Sequence, residues 1–144
     1  MLKWNKLQTE EIFHKLVYEP HEAQEVLADL EYESVTPLHL FLLEHLARHE
    51  CTIPEIITKS QLSKPYVYQV FEGRKLPGRD ALLRIAFAMN FSVMLTQKAL
   101  SLAQKPILYP RVHRDAALIY CLGKGMTLYE VSEFLSAIQE RALL

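Results

Sequence analysis

Helix starts punctuate this chain more firmly than any other signal. Thr52-Ile53-Pro54-Glu55, Ser63-Lys64-Pro65 and Thr127-Leu128-Tyr129-Glu130 each set a hydroxyl just ahead of an apolar-periodic stretch, and Thr36-Pro37 and Ser92 do the same. The first turn of a helix leaves backbone N–H groups without intrahelical partners. A Ser or Thr oxygen accepts from one of them, and a proline in that turn lacks the donor altogether. Thr52 and Thr127, each followed three residues on by Glu, spell a capping box, in which the carboxylate returns to the N–H of the cap residue. Starts spaced this closely leave room for helices of only about two to three turns. Such a chain buries its apolar stripes only by packing many short helices together.

Composition fits that picture. Half of the 144 residues are hydrophobic, 23% are charged and only four are glycine, a balance that supports a helical core and excludes a disordered tail. No apolar run approaches the roughly 18 residues of a membrane span. Met1-Leu2-Lys3-Trp4-Asn5-Lys6 lacks the apolar stretch of a signal peptide. Cys51 and Cys121 stand far apart in apolar surroundings and are expected as buried, reduced thiols. A cytoplasmic, all-α protein is therefore expected, rather than a secreted, membrane-spanning or disulfide-stapled one.

Residues 8–18, with Ile12, Phe13, Leu16 and Val17, and residues 21–31, with Ala23, Val26, Leu27 and Leu30, read as two amphipathic helices broken at Glu19-Pro20-His21. Residues 1–35 hold three Lys against eight Asp and Glu, which makes them an acidic helical leader. Thr36 is expected to cap a helix carrying Leu38, Phe41, Leu42 and Leu46. A two-turn helix follows from Thr52, and then one from Ser63 with Val67, Val70 and Phe71 on its apolar side. Gly73 supplies a left-handed stop. Further helices start at Arg79 and Ser92. A proline-bounded connector, Lys105 to Pro110, leads to an apolar helix over 114–123 closed by Gly123-Lys124-Gly125, and Thr127 opens the last helix. The expected divisions are 1–35, 36–104 and 105–144.

Residues 79–104 and 114–139 align without gaps at a period of 35. Arg79-Asp80-Ala81 matches Arg114-Asp115-Ala116, and Leu83, Leu100, Ser101 and Gln104 match Leu118, Leu135, Ser136 and Gln139. This reads as one helical hairpin used twice, short of the roughly three copies a repeat array needs.

Two short capped helices joined by about three residues have the spacing of a helix-turn-helix. The run Leu62-Ser63-Lys64-Pro65-Tyr66-Val67-Tyr68-Gln69-Val70-Phe71-Glu72-Gly73-Arg74-Lys75-Leu76-Pro77, followed by Leu82-Leu83-Arg84-Ile85-Ala86, resembles the lambda-repressor-like (Xre) family of helix-turn-helix regulators. In that family a Gly-basic-x-x-Pro turn follows the recognition helix and precedes a Leu-Ile-Ala-bearing helix. The chain differs from the family pattern at Ile53-Pro54, where a polar phosphate-binding residue is usual, at Gln61, where glycine is common, and at Phe71, where glutamate is common. The resemblance spans residues 36–104. It implies a five-helix DNA-binding domain, to which the C-terminal hairpin is an addition, and a homodimer on double-stranded DNA.

If Val67, Val70 and Phe71 face inward, Lys64, Pro65, Tyr68 and Gln69 face outward, with Tyr66 at the boundary. Gln69 has the paired donor and acceptor that read adenine, and Lys64 reaches guanine acceptors. Arg74, Lys75 and Arg79 are expected along the phosphates, with the capped helix starts at Thr52 and Ser63 offering backbone amides. Residues 52–90 carry six Lys and Arg against three acids, although the whole chain is at −1. The alternative is a protein-interaction module, antitoxin-like or adaptor, with the same fold and no DNA readout. His45 and His49 lie one turn apart, near Cys51, at a spacing a metal accepts. No second ligand cluster accompanies them, so surface histidines beside a core cysteine are expected, with no metal or cofactor. No Gly-rich phosphate loop, carboxylate pair or Ser/His/Asp set points to an enzyme.

Overall fold

The structure, a computed structural model, describes residues 9–29 and 36–144, and among them it is all-helical: α1 (Thr9–Tyr18), α2 (Pro20–Asp29), α3 (Leu38–Arg48), α4 (Ile53–Ser60), α5 (Lys64–Phe71), α6 (Arg79–Ala88), α7 (Val93–Leu102), α8 (His113–Lys124) and α9 (Leu128–Ala137). No described helix is long and apolar enough to cross a membrane. The chain divides into two compact units, residues 1–35 and 36–144. In the first, Lys15 on α1 pairs with Glu19 (3.1 Å) and with Glu22 of α2 (3.0 Å), tying the two helices across Pro20. Val26 is buried, while Phe13 and Val17 are exposed. Leu30 and residues 1–6 lie outside the described residues.

In the second unit the caps follow the sequence with two adjustments. Ser63, Ser92 and Thr127 accept from Tyr66, Leu95 and Glu130 N–H, and Glu130 completes its box by accepting from Thr127 N–H at 3.0 Å. Thr52 accepts from Glu55 N–H (3.4 Å), which is half of the expected box. Thr36 does not cap α3. Pro37 takes that position with extended ψ, and its carbonyl accepts from Leu40 and Phe41 N–H. At the other helix ends the small glycine supply shows. Glu50, Gln61, Asn90, Gln104 and Gln139 all adopt left-handed backbone, with φ between 53° and 62°, where glycine would be usual. α8 runs through Gly123 and stops at Gly125 (φ 67°).

The 35-residue repeat is a structural one. α6–α7 and α8–α9 are successive hairpins, with α6 packed on α9 and α7 on α8. Arg79 donates from both terminal nitrogens to Asp115 (3.0 and 2.9 Å), while Arg114 donates in the same manner to Asp80 (3.0 and 3.1 Å). Each arginine also closes the end of its own hairpin: Arg79 Nε to the Pro106 carbonyl and Nη2 to Ile107, Arg114 Nε to Arg141 and Nη2 to Ala142. Pro106 and Arg141, and Ile107 and Ala142, are themselves one period apart. Leu108 and Leu143, equivalent again, are both buried. The two hairpins are thus joined by reciprocal clamps, and residues 36–144 form one compact unit with one continuous core.

That core centres on α6, which buries Leu82, Leu83, Ile85, Ala86, Phe87 and Ala88 and packs against α4, α7 and α9. Its charged residues Arg79, Asp80 and Arg84 hold partners in neighbouring elements, and its remaining side chains are apolar, as in a helix enclosed by its neighbours.

Burial pushes the Asp115 carboxyl up, but the Arg79 guanidinium, the Tyr109 N–H and Arg114 bring it below the usual carboxylate range. Arg114 and Arg141 do the same to Asp80 against its own burial. A depressed carboxylate lends stability that is present above its unfolded value, about 4, and lost as pH falls further. Arg79→Ala leaves the buried Asp115 without its bidentate cation, keeping only the Tyr109 N–H as hydrogen-bond donor, and is expected to cost about 3 kcal/mol, read by urea denaturation at pH 7. The acid-side loss of stability below about pH 4 should shrink in Asp115→Asn.

Candidate nucleic-acid interface

α4 and α5 are eight residues each, joined through Gln61, Leu62 and Ser63. Three interactions fix their angle. Ser60 is fully buried, and its hydroxyl donates to the Ile57 carbonyl while accepting from Leu62 N–H. Arg84 of α6 donates to the Ser60 carbonyl at 2.9 Å, closing the C-terminal end of α4. Gln61 turns the chain in left-handed backbone, doing the work expected of a glycine. Only Gln61 stands out in the sequence, as a residue where glycine is common; the roles of Ser60 and Arg84 do not. Arg84 interrupting an apolar stripe was the available signal, since a half-buried cation in such a place needs an acceptor.

α5 places Val67, Val70 and Phe71 in the core at 2% exposure or less. Phe71 thus fills the core. On the opposite side Ser63, Lys64 and Pro65 are exposed, and Tyr66, Tyr68 and Gln69 are half-buried. Tyr66 has a bracing role: its hydroxyl accepts from Gly78 N–H (3.3 Å), and the Lys75 ammonium sits 5.0 Å from its ring centre. Lys75 is therefore held near the start of α5 by a cation–π contact.

Gly73 ends α5 with φ 78°, and the bonds from Gly73 N–H to Val70 and from Arg74 N–H to Gln69 complete a Schellman motif. A Cβ at Gly73 would lie 2.6 Å from the His39 ring of α3. Backbone and space both demand glycine here, and the turn that follows projects Arg74 and Lys75 into solvent. Arg74 pairs with Glu72 at 2.7 Å, but both are exposed. Such a pair is worth about 0–1 kcal/mol, so a phosphate competes for the guanidinium.

Arg79 is placed otherwise than expected. Its guanidinium is committed to Asp115, Pro106 and Ile107, so its donors serve the hairpin pair and not the α5 surface. Thr52 is exposed at the start of α4, with its hydroxyl accepting from Glu55 N–H. Six of the ten sequence-selected residues, Thr52, Ser63, Lys64, Pro65, Arg74 and Lys75, are exposed.

The histidine expectation is corrected. His45 is buried, with its ring 4.5 Å from Phe41 and 5.7 Å from Phe91, and its Nδ1 has no hydrogen-bond partner among the described residues. Cys51 is half-buried. His49 Nδ1 donates to the His45 carbonyl (2.8 Å), and the Cys51 thiol donates to the His49 carbonyl (3.5 Å). The i,i+4 spacing that suggested surface ligands instead places His45 on the packed side of α3. Among the described residues no three His, Cys, Asp or Glu side chains gather as metal ligands.

No protein-family model, curated protein or solved structure matches this chain.

Gly73→Ala is expected to lose about 2 kcal/mol or more in thermal or urea unfolding. Part of that loss should return when His39→Ala is added, because the second change removes the ring in the way. Burial above all, and then Arg48, lowers His45 affinity for a proton; Glu44 opposes them and His49 adds the smallest contribution. The unfolded chain then binds that proton more readily, so stability falls as pH drops below about 6.5. His45→Phe should flatten the stability profile between about pH 7 and 5 in the same denaturation assay.

Proposed function

We propose that the protein is a sequence-specific DNA-binding transcriptional regulator of the Xre helix-turn-helix type, cytoplasmic and non-enzymatic, with residues 36–104 in the lambda-repressor-like arrangement. The observation that carries this reading is the exposed first turn of α5. Ser63, Lys64 and Pro65 face solvent on a helix whose opposite side is locked by Val67, Val70 and Phe71. A recognition helix presents its N-terminal turn and one outward face to the major groove while its inner face holds it to the domain. Lys64 and Gln69 supply base-reading groups, with Pro65 and Tyr68 as apolar neighbours for a thymine methyl. Arg74 and Lys75 supply phosphate contacts, and the helix starts at Thr52 and Ser63 add backbone amides. Half-sites about one helical turn apart call for a homodimer, to which the 114–141 hairpin, with Tyr120 and Tyr129 exposed, contributes the surface.

A mobility-shift titration of the full chain against DNA upstream of its own gene tests this. Affinity should fall steeply with added salt, and Lys75→Gln should flatten the log–log salt slope by about one. Gln69→Ala should relax sequence preference while leaving that slope nearly intact. Absence of binding at low salt, or binding indifferent to Arg74 and Lys75, would transfer the helix-turn-helix to the protein-interaction reading.

A further inference from the structure

On the far side of α4 from its start, a groove of about 470 Å³ opens between the C-terminal ends of α4 and α6 and the turn into α9. Its floor is apolar, formed by Phe87, Ala88 and Leu128, each at 6% exposure or less. Polar residues Asn90, Thr127 and Lys59 also line it. No Asp or Glu lines it among the described residues, and Lys59 is the only Lys or Arg that does. The nearest carboxylate in sequence, Glu130, is occupied by the Thr127 N–H in the capping box. The volume falls in the range of small-ligand sites, about 300–1,000 Å³, and an apolar floor with a few convergent polar groups is how such sites are built.

The internal repeat bears on what would lie there. In the first hairpin the residue equivalent to Met126 is Phe91, whose ring is covered by Phe41 (6.1 Å) and His45 (5.7 Å) of α3. In the second hairpin Met126 lines the groove and is only half-buried. The covered counterpart is filled by aromatic rings, and the open one has Lys59 at its edge with no Asp or Glu among its described lining residues. We infer that this groove binds a small amphipathic anion, an aromatic or aliphatic body ending in a carboxylate, with the body on Phe87, Ala88 and Leu128 and the carboxylate at Lys59. The site is separate from the surface assigned to DNA, and its occupancy does not depend on that assignment. It adjoins the helix-turn-helix all the same, because Gln61, which turns the chain from α4 towards α5, is one of its walls.

Phenylacetate and phenylacetamide, equal in shape and different in charge, are the probes, titrated into the ¹⁵N-labelled full chain without DNA. Phenylacetate should shift the amides of Asn90, Gly125 and Thr127 saturably, and phenylacetamide should bind the same place about fivefold more weakly. Lys59→Gln, a change on an exposed side chain, should bring phenylacetate down to the affinity of the amide. Absence of saturable shifts at those amides, equal affinity for the two probes, or an affinity for phenylacetate unchanged by Lys59→Gln overturns the inference.

Discussion

Two guanidinium groups organise the second unit. Arg79 and Arg114 each hold the exit of their own hairpin through backbone carbonyls and the first turn of the other hairpin through a bidentate carboxylate. Neither pair is isolated, because each arginine also donates to two backbone carbonyls of its own hairpin. A partly buried ion pair of this kind is favourable only when such extra bonds satisfy it. The exchange also sets register: each Asp lies in the first turn of its helix, one residue after the Arg that clamps the opposite hairpin, so neither hairpin slides without breaking both clamps.

This clamp fixes α6, and α6 fixes the candidate interface. Its Arg84 caps the end of α4 at the Ser60 carbonyl, its Leu82 and Leu83 join the core that receives Val67 and Val70, and its leading turn gives Gly78 N–H to Tyr66. The exposed turn of α5 is thereby held from both ends. The basic turn after it is held by Gly73 under His39 and by Lys75 over the Tyr66 ring. A surface proposed to read base edges needs its side chains held in place, and here the contacts that hold it come from Tyr66, Arg84 and the core side of α5.

The helices were legible because their signals are local. Hydroxyl caps, early prolines and apolar spacing act within one or two turns, and they located the helix starts to within a residue or so, with Thr36 displaced by Pro37. The inner face of α5 was legible for the same reason. What escaped is non-local or chemically permissive. The Arg79–Asp115 and Arg114–Asp80 exchange joins residues 36 and 34 apart in sequence. The aligned Arg-Asp-Ala triplets marked the repeat without showing that the pairs cross over, and Arg79 therefore read as a phosphate contact. Left-handed termini at Gln and Asn gave no glycine to see. His45 read as a surface residue because it is a polar side chain, although it shares the buried side of α3 with Leu38, Phe41 and Leu42 and is also packed against Phe91.

The central claim is that the first turn of α5 and the basic turn behind it form one nucleic-acid-binding edge. Adding duplex DNA carrying the bound site to the ¹⁵N-labelled chain at low salt maps that edge directly. The account expects the largest amide shifts at Ser63 to Gln69 and at Gly73 to Lys75, with α8 and α9 changing less. Shifts confined to the leader or to the C-terminal hairpin, or no shifts at low salt, would contradict it.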